Sequence, residues 1–112
     1  MENEEIISGI GVKNLELLRH HTEKSFGKIF EGREKAKQRL IYDFLNYIKT
    51  DNRESFLNQL LRILNTRIDD EDVKRLITSI NTLNLKYDTK ENFNKIAYTI
   101  IMGIMAKNKG GK

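Results

Sequence analysis

With 112 residues, 38% hydrophobic and 32% charged, the chain is long enough for one modest core and too short for two. It has no cysteine and only two histidines, which excludes a disulfide framework, a thiolate metal centre and a histidine cage. Proline is absent and the formal net charge is +4, a balance that disfavours turn-rich β architectures and suits an acidic partner.

The N-terminus reads Met1-Glu2-Asn3-Glu4-Glu5, acidic where a secretory signal is basic, and no apolar run follows it. Residues 4–10 suit a short turn, because Gly9 and Gly11 bracket Ile10 and interrupt any continuous helix. Leu15, Leu18 and Thr22 then share one face and predict a first, shorter helix over residues 12–24. Gly27 and Gly32 punctuate the following connection, which Phe26, Ile29 and Phe30 seat on the core.

The next helix is expected over residues 33–49, with Ala36, Leu40, Ile41, Phe44, Leu45 and Ile48 as its buried stripe. Asp51 and Glu54 have capping-box spacing and open a third helix, with Phe56, Leu57, Leu60, Leu61 and Leu64 inward and Asn65-Thr66 at its end. Asp69-Asp70-Glu71-Asp72 places negative charge at the start of a fourth, in which Val73, Leu76, Ile77 and Ile80 face inward. Asp88 and Glu91 repeat the capping spacing. The last helix carries Phe93, Ile96, Ala97, Ile100, Ile101, Ile104 and Met105, and as the most apolar it is expected at the centre.

These elements predict an all-α protein: a compact up-and-down bundle of four long helices plus a short N-terminal one. Residues 1–106 form a single domain in this reading, and residues 107–112 a flexible basic tail. The most apolar stretch, residues 96–106, is interrupted by Thr99 and Gly103 and is too short for a membrane span, so no membrane contact and a cytoplasmic location are expected.

No catalytic constellation emerges. His20 and His21 are adjacent, point about 100° apart on a helix and cannot readily share a metal. The acidic run at 69–72 lacks the alternate ligands and the glycine of a calcium loop, and a helix N-terminus accounts for its charge. Gly9-Ile10-Gly11 lacks the rest of a dinucleotide fingerprint. Neither a cofactor nor an enzymatic activity is expected.

Charge is the most informative feature. Residues 13–39 carry eight bases against four acids. Lys28, Arg33 and Lys37 can lie on one side, and Lys35 with Arg39 in a second row, so that two rows could track successive phosphates. Tyr42 and Tyr47 flank this helix as candidate stacking rings, although tyrosine at a core margin is the commoner role. Arg62, Arg67, Lys74 and Arg75 extend the surface if their helices present the same side. The competing reading of such charge is a solvated helix face.

The run LIYDFLNYIKTDNRESFLNQLLRILN at residues 40–65 resembles the C-terminal helical region of the large subunit of type I CRISPR Cascade complexes, particularly the I-B kind. The closing stretch FNKIAYTIIMG at residues 93–103 is similar to the final helix of those proteins. The likeness covers most of residues 33–106 and rests on loose helix patterns. In such systems this region also occurs as a separate small subunit, made from an internal start, and a 112-residue chain opening on Met1 is the form expected of one. The resemblance implies several copies of the chain stacked beside the large subunit and the crRNA-bound backbone. There they would support the crRNA–target DNA heteroduplex and the displaced strand by sequence-independent contacts. From a different class, a helical adaptor that binds an acidic protein and never meets nucleic acid fits the same charge.

Overall fold

The computed structural model describes residues 9–106. The tail at residues 107–112, and most of the turn expected at 4–10, lie outside them. Five helices follow one another: α1 Val12–Ile29, α2 Glu34–Thr50, α3 Arg53–Asn65, α4 Glu71–Lys86 and α5 Lys90–Met105. The described residues contain no strand, so the fold is an all-α bundle. None of the described helices is long and apolar enough to cross a membrane.

Contacts between the helices fix their directions. Asp43 and Tyr47 of α2 meet Gln59 and Phe56 of α3, and Lys28 near the end of α1 meets Asp70 and Asp72 at the start of α4. Asp51 after α2 pairs with Lys90 at the start of α5, and Phe44 one turn earlier than Tyr47 lies against Tyr98. Each of these pairs is antiparallel. α1 and α5 run parallel, because Ile10 bonds to Asn92 while Thr22 abuts Gly103. The chain therefore runs up and down through five helices, and α5 packs against α1, α2 and α4, the central place expected for it.

The first helix is not the short one. It runs through the exposed Gly27 to Ile29 and is the longest of the five, at 18 residues. Gly27 weakens a helix by about 1 kcal/mol relative to alanine. Burying Phe26 and Ile29, each below 5% exposed, is worth about 1.5–3 kcal/mol apiece and outweighs it. The chain turns instead at Gly32, whose φ of +73° is the left-handed conformation that glycine adopts without strain.

In α2 the buried stripe is Leu40, Phe44 and Tyr47, with Ala36 half-buried at its margin. Leu45 and Ile48, expected inside, are 54% and 45% exposed. Tyr47, expected on a flank, takes their place because it joins the rings of Phe44, Phe56 and Phe93. Its hydroxyl donates to Asn94 Oδ1, which satisfies the one polar atom that burial would orphan. Met105, also expected inside, is 54% exposed.

Two caps lie one residue later than the capping spacing indicates. Asn52 accepts from Ser55 N at 3.1 Å and Thr89 from Asn92 N at 3.1 Å. Asp51 instead ends α2 at a positive φ and pairs with Lys90 at 3.0 Å. Asp88 turns to Arg53 at 3.7 Å. Asp70 caps α4 as its acidic start suggests, accepting from Asp72 N at 2.8 Å and Val73 N at 3.2 Å.

Candidate nucleic-acid interface

Packing divides the basic residues singled out in the sequence into two groups with different chemistry. Four lie where α1 ends and α4 begins, and each is tied to the protein. Lys28 Nζ reaches Asp70 Oδ2 and Asp72 Oδ2, both at 2.8 Å. Arg75 extends to Asp72 at 3.5 Å, and Lys74 to Glu71 at 3.9 Å. Arg67 donates to the carbonyl of Lys28 at 3.4 Å, an oxygen at the end of α1 that also accepts from Glu31 N. The bonds from Lys28 hold the Asp70 and Asp72 carboxyls below their usual pKa and raise that of Lys28. This cluster is a structural clamp in which Lys28, Lys74 and Arg75 already face carboxylates and Arg67 a backbone carbonyl.

The second group lies on the outward side of α2. Lys35, Arg39, Tyr42 and Lys49 are all exposed, Tyr42 by 74%. They recur at intervals of four, three and seven residues, which align on one side of a helix and extend over about 21 Å at 1.5 Å per residue. Arg62 of α3 joins them. The antiparallel contact between Asp43 and Gln59, at 3.3 Å, puts Arg39 and Arg62 each about one turn further in the same direction. Among the described residues, Lys35, Arg39, Lys49 and Arg62 form no ion pair. Arg33 is exposed at the start of the row.

Two predicted members go elsewhere. Lys37 is half-buried and faces a cleft between α1, α2 and α5 that it shares with Lys24, Glu31 and Glu34. Tyr47 lies in the core at 2% exposed and offers no face to a base. Lys49 stands ten residues beyond the dense basic run at residues 13–39, so local charge density does not mark it. Its helical position, seven residues after Tyr42, was the available signal.

The histidines build no reactive pair. His20 is exposed and His21 half-buried, with ring centroids 6.0 Å apart. Burial, then His20 and Arg75, lower the pKa of His21. Among the described residues, no group of three or more His, Cys, Asp or Glu side chains is placed to hold a metal ion. The arrangement offers a row of solvated cations around one exposed aromatic ring, suited to contacting phosphates and stacking on an unpaired base. Comparison with family models, curated proteins and solved structures finds no match to this chain.

Proposed function

We propose that this chain is a non-catalytic nucleic-acid-support subunit that acts as the small subunit of a type I, I-B-like CRISPR Cascade complex. Beside the large subunit and the crRNA-bound backbone, it holds the crRNA–target heteroduplex and the displaced DNA strand through phosphate contacts in the cytoplasm. The observation that carries this reading is the outward row of α2, where Lys35, Arg39 and Lys49 face solvent without an internal carboxylate and Tyr42 stands 74% exposed among them. A face that only kept the helix soluble would gain nothing from a large ring at its centre. The likeness of residues 40–65 and 93–103 to Cascade helices supports the assembly.

Fluorescence anisotropy with a labelled single-stranded oligonucleotide tests the binding step. Four phosphate contacts give a slope of roughly −3 in log K against log salt, at about −0.7 per contact on single strands. Lys35→Glu with Arg39→Glu is expected to abolish retention with the fold intact, whereas Lys74→Glu with Arg75→Glu leaves most of it. Equal losses from both pairs would refute the assignment to α2. Native mass spectrometry of the chain co-expressed with a crRNA-bound backbone and large subunit tests the assembly, and a particle that excludes a well-folded chain would refute it.

The exposed apolar side chains beside the row favour a second reading, an adaptor that docks on an acidic protein. In that case Tyr42→Ala leaves oligonucleotide binding as weak as it was in the unmodified chain.

A further inference from the structure

The outward row of α2 holds one residue that is neither a cation nor a ring. Arg39, Tyr42, Asn46 and Lys49 recur at intervals of three, four and three residues, so they form one stripe along the helix, and all four are exposed. Asn46 stands one turn beyond the Tyr42 ring and one turn short of Lys49. Thr50 donates to its backbone carbonyl at 2.9 Å. Its side chain forms no hydrogen bond with the described residues. Gln38, the other amide side chain of α2, is engaged instead and donates to Glu34 at 3.4 Å. A face that met only phosphates would be served by another cation at position 46. An amide offers a donor and an acceptor side by side, which complements the edge of a base rather than a phosphate.

We infer that Tyr42 and Asn46 form a base-reading subsite that takes one unpaired adenine, stacked on the ring and bonded along its edge to the amide. This rests on the nucleic-acid reading above and adds a base preference to it. Side chains one turn apart start about 5–6 Å from each other, so a base laid on the Tyr42 ring has its edge within reach of Asn46. Oδ1 accepts from the N6 amino group and Nδ2 donates to the adjacent N7, the pairing with adenine that amide side chains favour. Guanine carries two acceptors on that edge, N7 and O6, and leaves Oδ1 facing an oxygen. Pyrimidines cover less of the ring and stack more weakly.

The cations of the row keep their own role. Arg39 and Lys49 lie about 15 Å apart along the axis, at 1.5 Å per residue, with the ring and the amide between them. Arg62 joins Arg39 across the α2–α3 contact, and two guanidinium groups together suit a phosphate. Phosphate contacts carry no sequence information, so the preference is confined to the one nucleotide on Tyr42.

Fluorescence anisotropy with labelled single-stranded 12-mers of dA, dT and dC, and one alternating dG with dT, tests this on the full chain. The dA strand is expected to bind about fivefold tighter than the others, the low end for a bidentate pair because the site is exposed. Asn46→Ala should bring that ratio to about one by weakening dA alone. Asn46→Gln, which keeps the amide, should retain most of the preference. Asn46→Lys should remove the preference and steepen the slope of log K against log salt by about 0.7, the effect of one added phosphate contact. Equal affinity for the four strands overturns the inference and leaves the nucleic-acid reading standing. So does tightest binding to the strand containing guanine, or a dA preference that survives Asn46→Ala. A chain that retains none of the strands refutes the nucleic-acid reading itself, and the subsite with it.

Discussion

Gly103→Ala tests the tightest contact in the bundle. A Cβ at position 103 would come within 2.9 Å of both Cβ and Cγ2 of Thr22 and 3.1 Å of the Arg19 carbonyl oxygen. Neither neighbour can give easily. Thr22 is β-branched and fully buried, and its hydroxyl donates to the Leu18 carbonyl at 2.7 Å, which fixes its rotamer. The Arg19 oxygen belongs to the α1 backbone. Ordinary contact begins near 3.4 Å, so α1 and α5 must separate by about half an ångström along one of the most extensive interfaces in the fold. Overpacking of this kind costs about 1–3 kcal/mol. Replacing glycine by alanine in a helix returns about 0.5–1 kcal/mol, and less so near the C-terminal end of α5. The net expectation is a destabilisation of about 1–2 kcal/mol, or roughly 5–15 °C in Tm for a chain of this size. Thermal unfolding followed by circular dichroism measures it directly. The companion change Thr22→Ala removes Cγ2, and a double-mutant cycle should show the two substitutions coupled by about 0.5 kcal/mol or more. A Gly103→Ala protein that melts at or above the wild-type temperature refutes the close approach of α1 and α5.

Three further outcomes are expected. Tyr42→Ala should weaken single-strand binding by about 1–3 kcal/mol, the worth of one stacked base, with no change in Tm because the ring is 74% exposed; anisotropy and melting curves on one sample check both. Lys28→Met should lower Tm at neutral pH. Since its bonds depress the pKa of Asp70 and Asp72, their stabilisation is present above the ordinary carboxylate value and is lost as pH falls through the depressed ones. The gap between the two proteins should therefore close below about pH 4, and a gap that persists in acid would count against the clamp. Tyr47→Phe should cost about 1 kcal/mol in urea unfolding, because the half-buried Asn94 can turn to water when the phenol is removed. Burial and then Asp51 raise the Tyr47 pKa, so its neutral form contributes fully below about pH 10 and that contribution is lost as pH rises further. Alkaline titration should accordingly destabilise the wild type more than Tyr47→Phe.

Much of this architecture is legible in the residues themselves. Apolar spacing marks the helices, because one side of each must leave water and helical geometry sets where that side recurs. Val73, Leu76 and Ile80 on α4 are an example, all 0% exposed as their spacing indicates. Asp70 likewise caps α4 where its acidic neighbours suggest, because capping is decided within one turn. Leu45, Ile48 and Met105 are the instructive exceptions. Each satisfies a helical stripe, yet each lies just past the arc that a neighbouring helix covers, and the width of that arc depends on how the helices are arranged.

The same limit governs the candidate interface. The local density of lysine and arginine is a property of the sequence, and so is the absence of cysteine, proline and an extended apolar span. Which cations face solvent is a property of the fold. Lys28 and Arg39 look alike along the chain, but Asp70 and Asp72, more than forty residues away, engage the first, while the second stays on the outer side of α2. Tyr42 and Tyr47 differ by five residues and by nearly the whole range of exposure, 74% against 2%. Local propensity and periodicity determined that this chain forms helices and roughly where. Burial and long-range charge pairing exist only once those helices meet, and they decided which residues stay exposed and unpaired on the outer side of α2.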